Sequence, residues 1–162
     1  MNEQAFTDLL APLVQPGYRL ACALLHDSAL AEDVVQEASL IAWRKHDRLE
    51  DRSRARAWFL SIVANECRNA RRRQWFRGAF GLPPTLSVGS GEDRWVTHAD
   101  VRSALGRLSH EDRLAVSLYF YLDMPVDEIA SIAHSSVDAT RKRLYRAVQR
   151  LRPDLSIEEA LR

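Results

Sequence analysis

Apolar positions in this chain recur at steps of three and four almost from end to end, and nowhere alternate for long. Steps of three and four build one face of an α-helix, whereas a half-buried strand repeats every second residue. The pattern predicts an all-α fold. Pro12 and Pro16 are expected to interrupt the first helical stretch, with a second running from Gly17 to His26. A third starts near the cap candidates Asp27 and Ser28 and runs through Lys45; a fourth runs from after Ser53 to about Trp75. Further along, "THAD" (97–100) and "SHED" (109–112) set Thr or Ser three residues before an acid, as in a capping box. Pro125 suits the first turn of a short helix ending at Ala133. "HSS" then makes a tight turn, and Ser136 caps a last helix over 137–151. This is helix-turn-helix spacing.

The helical pattern breaks once. "GAFGLPPTLSVGSG" (78–91) holds four of the six glycines and two of the six prolines, and no charge. Such a stretch is a linker, not a core element. The chain therefore divides into a helical domain over 1–76, a flexible linker over 77–96, a helix-turn-helix domain over 97–153 and a tail over 154–162. A coil of about 20 residues spans roughly 25 Å, enough to set two small domains on separate stretches of one long partner.

Charge sharpens this picture. The formal net charge is only +1, but residues 1–43 hold one basic against six acidic side chains, and 44–77 eleven against four. Residues 137–152 form a second basic block, six against one. All but two of the 23 basic residues are Arg, whose planar fork suits phosphate and guanine. Two basic blocks suggest two contacts with a polyanion, and the acidic N-terminal block a contact of another kind. No apolar run is long enough to span a membrane, and the N-terminus lacks a secretory pattern. Cys22 and Cys67 read as small buried residues of a cytoplasmic protein, and the histidines show no metal-ligand spacing. No phosphate-cradling loop or nucleophile–base motif points to an enzyme, and neither cofactor nor metal is expected.

Projecting the helices at 100° per residue assigns their faces. On the fourth, Phe59, Leu60, Val63, Cys67 and Ala70 point inward, and Ser61, Asn65, Arg68, Asn69 and Arg72 outward. Asn and Arg make paired hydrogen bonds to adenine and guanine, so this stripe is a candidate DNA-reading surface, flanked by the phosphate-binding candidates Arg71 and Arg73. Trp58 beside it serves either packing or base stacking. On the last helix Val137, Leu144, Val148 and Leu151 face inward; Asp138, Ala139, Lys142, Arg143, Arg146 and Arg150 lie opposite or at the edge. Lys142 and Arg146 are placed for base contact in a major groove, Arg141 and Arg143 for phosphates. The third helix turns Leu30, Val34, Ala38 and Ile41 inward and Glu32, Asp33, Gln36, Glu37, Leu40 and Trp43 outward. An acidic rim around Leu40 and Trp43 fits a protein-binding hot spot, unless those two pack beneath the first helices.

The segments "AEDVVQEASLIAW" (31–43), "RARAWFLSIVANECRNARRR" (54–73) and "LSHEDRLAVSLYFYLDMPVDEIASIAHSSVDATRKRLYRAVQRL" (108–151) resemble bacterial RNA polymerase sigma factors of the extracytoplasmic-function group. The resemblance spans nearly the whole chain, in order. It implies a two-domain specificity subunit whose partners are core RNA polymerase, through its clamp helices and flap, promoter DNA, and an anti-sigma factor. Asp33, Gln36 and Glu37 match the family's clamp-binding motif. The loop "HDRLEDRS" (46–53) and the helix bearing Asn65 match the segment that captures unstacked −10 bases, and the last helix matches the −35 reader. The sequence departs from the family pattern at several places. His134 stands where Gly is common in the turn, which asks a non-glycine residue to go left-handed or the turn to reshape. Ser135 replaces an apolar residue, Asp138–Ala139–Thr140 replace Gly-Thr-Val, and Asn69 replaces Asp. Asp138 either accepts from cytosine N4 or repels phosphate, so the promoter sequence does not carry over. Two rival readings are a stand-alone helix-turn-helix regulator and a sigma mimic that sequesters an anti-sigma protein.

Overall fold

The computed structural model describes residues 2–79 and 99–151. The described residues are helices and their turns, without a strand among them. The chain divides into two compact units, Met1–Ser90 and Gly91–Arg162.

In the first unit, α1 (Glu3–Leu25), α2 (Ser28–Lys45) and α3 (Ala55–Ala79) pack pairwise into a three-helix core. Asn2 caps α1 by accepting from the Ala5 N–H at 2.8 Å, and Asp27 caps α2 by accepting from the Leu30 N–H at 3.0 Å. Between them His26 turns left-handed at φ 53° and ends α1. Contrary to expectation, Pro12 and Pro16 do not interrupt α1. They stand four residues apart, so the carbonyls they leave without donors, those of Asp8 and Pro12, lie on one side of the helix. Asp8 and Pro12 are exposed, so water reaches that side, while Phe6, Leu10, Leu20, Ala21 and Leu24 are buried on the other. Packing before and after the prolines keeps the segment helical. Gly17 allows the closest approach: a Cβ there would meet the Phe59 ring at 2.9 Å.

In the second unit, α5 (His110–Val116) runs into a single π-turn over Ser117–Tyr121, and α5 and α6 (Val126–Ile132) both pack on α7 (Val137–Leu151). The end of α4 (Ala99–Gly106) is closed from a distance. The buried Arg113 guanidinium donates to the carbonyls of Leu105, Gly106 and Leu108 at 2.9, 3.2 and 3.1 Å, satisfying groups that a helix end leaves open. Ser109 caps α5 as its motif predicts, accepting from the Asp112 N–H at 3.1 Å. The cap expected at "THAD" and most of the linker expected over 77–96 lie outside the described residues. α3 itself continues through Arg77 and Gly78 to Ala79.

The turn between α6 and α7 adopts the left-handed solution. His134 sits at φ 52°, the Ser135 N–H donates to Ala130 O at 2.9 Å, and the His134 N–H to Ser131 O at 3.3 Å. These two bonds are those of a Schellman closure, which glycine usually occupies. Ser136 then accepts from the Ala139 N–H at 3.1 Å, the cap expected for α7.

Candidate nucleic-acid interface

α3 segregates its side chains sharply. Phe59, Leu60, Val63 and Cys67 are fully buried, Ala70 nearly so, and Ile62 and Ala64 extend the same side. Burial pushes the Cys67 thiol up to about 12, because the low-dielectric interior disfavours a thiolate. Across the helix, Asn65 and Arg72 are exposed, and Ser61, Arg68 and Asn69 are half-buried. Arg68 donates to Asn65 Oδ1 at 2.8 Å, and Asn69 Nδ2 to Glu66 Oε1 at 3.0 Å. These bonds orient both amides on a helix side where Asn65 is exposed. Ser61 donates its hydroxyl proton to Trp58 O at 2.7 Å and is the least available member of the set. Arg71 and Arg73 are exposed beside it. The preceding loop is ordered by two 3₁₀ turns, His46–Arg48 and Arg52–Arg54. There the Asp51 carboxylate accepts from both the Ser53 hydroxyl and N–H, which holds its carboxyl below the ordinary value.

On α7, Asp138, Ala139, Arg141, Lys142 and Arg146 are exposed. Arg141, Lys142, Tyr145 and Arg146 line an open groove of about 440 Å³. Tyr145, 67% exposed, escaped the sequence reading, although it lies one turn beyond Lys142 on the groove side. Arg143 occupies a different environment from its neighbours. It is half-buried and donates to Asp112 on α5 at 3.0 Å, while Arg150 reaches the other oxygen of the same carboxylate at 3.2 Å. Its charge is therefore already compensated, and Arg141, 3.6 Å from Asp138, is held more loosely in solvent. The inward face also differs in detail: Thr140, Leu144, Ala147 and Leu151 are buried, and Val137 and Val148 only half so. Thr140 can be buried because its hydroxyl donates to Ser136 O at 3.0 Å and lies 2.7 Å from Ser135 Oγ. Ser135, the departure from an apolar residue, is thus the partner of a buried threonine.

α2 carries a third surface, of opposite sign. Glu32, Asp33, Gln36 and Glu37 are exposed, Leu40 is 50% exposed and Trp43 39%. Trp43 satisfies both expectations at once: it packs edge-on against Phe6 at 5.0 Å and stacks on His46 at 5.1 Å, yet keeps part of its ring in solvent. Leu40 has no such cover. Glu37 also lies 3.8 Å from Arg44, two turns away.

These three surfaces define a helical protein with two basic faces and one acidic face. Comparison with known proteins gives the family. Residues 9–77 match sigma-70 region 2, and residues 98–151 match sigma-70 region 4. The chain is 31% identical over 148 residues to the ECF RNA polymerase sigma factor SigL of Mycobacterium tuberculosis, covering 88% of this chain and 82% of that one. It is 25% identical over 145 residues to the sigma factor SigV of Bacillus subtilis, covering 90% and 87%. Among solved structures, the sigma factor RpoE in its complex with the anti-sigma factor NepR from Bartonella quintana superposes with a TM-score of 0.82, at 24% identity, over 95% of this chain and 98% of that one. At that identity the likeness is one of fold. CnrH, solved with the cytosolic domain of CnrY, gives 0.70 at 27% identity over 94% and 88%. The chain belongs to the sigma-70 family of bacterial RNA polymerase sigma factors, in the ECF group. It is a transcription initiation factor whose partners are core RNA polymerase and DNA, and sigma factors of this family are not themselves catalysts. No described helix is long and apolar enough to cross a membrane.

Proposed function

We propose that this sigma factor directs initiation at a set of promoters by reading melted −10 DNA with α3 and its preceding loop, and −35 duplex with the groove side of α7. The exposed side of α2, with Glu32, Asp33, Gln36, Glu37 and Leu40, docks on the polymerase clamp helices, and the second unit meets the flap. The observation that supports this most directly is the division of α3, fully buried on one side and amide- and guanidinium-bearing on the other. Solubility alone needs no such side chains. Taking a base out of the stack costs a few kcal/mol, so a surface that binds the flipped base lowers the barrier to opening. Polymerase supplies the chemistry.

Within the α3 set, Asn65, Arg68, Asn69 and Arg72 carry base recognition, and Arg71 and Arg73 the phosphates. On α7, Lys142 and Arg146 read bases, Arg141 grips phosphate, and Ala139 beside Asp138 lets the groove edge come close. Two tethered units add avidity only when both elements are correctly spaced, which builds a spacing requirement into the promoter. An anti-sigma factor is the expected restraint, supported by the neighbouring fold of RpoE, which was solved with the anti-sigma factor NepR.

Asn65→Ala with Arg68→Ala tests the reading. Permanganate footprinting should show promoter opening reduced about thirtyfold, as expected for two lost contacts of roughly 1 kcal/mol each, with core polymerase binding intact. An unchanged footprint removes the −10 assignment. Sequence-specific binding by the free chain without polymerase would favour the stand-alone regulator, and a chain inert in run-off transcription the sigma mimic.

A further inference from the structure

α7 opens with a carboxylate where the rest of its groove side is basic. Asp138 stands one turn before Lys142, on the side where Arg141, Lys142, Tyr145 and Arg146 line the groove. Its side chain is 84% exposed and lies 3.6 Å from the guanidinium of Arg141, itself 67% exposed. An ion pair so open to water adds little to stability, so folding gives no reason for the acid. The turn that carries it is nonetheless fixed. Ser136 accepts from the Ala139 N–H at 3.1 Å, and the Thr140 hydroxyl donates to Ser136 O at 3.0 Å. Repulsion from phosphates is offset locally, because Arg141, Lys142 and Arg146 outnumber the one carboxylate. Asp138 thus brings an acceptor to a surface whose other charged groups are all donors. In the major groove the base-edge donors are cytosine N4–H2 and adenine N6–H2. Adenine sets its N7 acceptor beside that donor, which repels a carboxylate; the cytosine edge has no such acceptor.

We infer that Asp138 selects a cytosine at one position of the −35 duplex by accepting from its N4 amino group, while Arg141 holds the carboxylate and bridges it to the phosphates. The inference rests on the −35 reading of α7 and deepens it. Lys142 and Arg146 are donors and suit guanine, so Asp138 adds a base of the opposite hydrogen-bonding sense.

The test uses holoenzyme assembled from core RNA polymerase and the full chain, on a promoter found by sequencing the transcripts it starts. Each −35 base pair is replaced in turn by the other three, and the DNAs compete for binding. The parent should prefer cytosine at one position by about 5- to 150-fold, the range for one wrong base pair. Asp138→Ala should remove that preference and keep the ranking at the other positions. Asp138→Asn, of nearly the same size, should move the preference there to adenine, with which an amide pairs. Arg141→Ala should weaken binding to every DNA and also reduce the cytosine preference; a uniform loss with that preference whole overturns the pairing. A uniform gain in affinity when Asp138 is replaced marks the carboxylate as a plain repulsive charge and overturns the inference. So does a −35 ranking that Asp138→Ala and Asp138→Asn both leave unchanged. If Lys142→Ala and Arg146→Ala reduce discrimination while the Asp138 variants change nothing, the −35 reading stands and this inference alone falls; if none of the four alters the ranking, the −35 reading of α7 falls with it.

Discussion

Cys67 illustrates how far a single residue's chemistry is set by its place in the core. The ordinary thiol value is 9.0, and burial on α3 raises it to about 12. A group whose neutral form is favoured by folding adds no pH dependence below its unfolded value, and lowers stability as pH climbs from there toward its folded value. The unfolding midpoint should therefore fall between about pH 9 and 12, with a slope that Cys67→Ala reduces. At pH 8 a thiol reagent should label Cys67 only as the chain unfolds, followed by mass spectrometry under rising urea. His134 makes the complementary point about backbone. A non-glycine residue in the left-handed region is uncommon, and here two Schellman hydrogen bonds hold it there.

Among the elements, α7 shows how one helix divides its arginines between contacts to another element and solvent. Asp112 anchors Arg143 and Arg150 to α5, and the N–H of the same Asp112 is capped by Ser109. The capping motif thus keeps its serine half, while its acid is diverted to fix α7. Asp112→Ala should lower the stability of the full chain by roughly 1–3 kcal/mol, seen as an earlier thermal transition, because two charge-assisted bonds are lost. Arg146 is not so anchored to another element: its Nε donates at 3.4 Å to Lys142 O within the same helix. Lys142→Ala or Arg146→Ala should leave stability nearly unchanged and reduce discrimination against a wrong −35 base pair by about 1–3 kcal/mol, measured by competition among mutated promoters.

The whole molecule couples surfaces of opposite sign to two partners. The acidic side of α2 repels DNA and suits a basic protein surface, whereas α3 and α7 attract the polyanion. Asp33→Arg with Glu37→Arg reverses that local charge and should abolish co-purification with core polymerase, while far-ultraviolet circular dichroism stays that of a folded helical chain. Both residues are exposed, so their replacement leaves the three-helix core intact. The ECF membership explains why one chain of modest length carries both signs: it must hold the enzyme and the promoter together.

By itself the sequence determined that the chain is helical, that it has two helical parts, and which side of α3 is buried, because a 3.6-residue period is a local property of the chain. Ser109, Asp27 and Ser136 announced their caps for the same reason, since a cap involves only a few adjacent residues. Tertiary structure alone decided what depends on contacts between distant residues. α1 stays whole through Pro12 and Pro16 because α2 and α3 hold it on both sides of them. Trp43 is shared between Phe6 and solvent, and Arg143 is bound to Asp112, by neighbours that periodicity cannot name. Local periodicity sets which side of a helix faces inward; only packing sets which partner waits there, and so which outward charges are left to meet DNA.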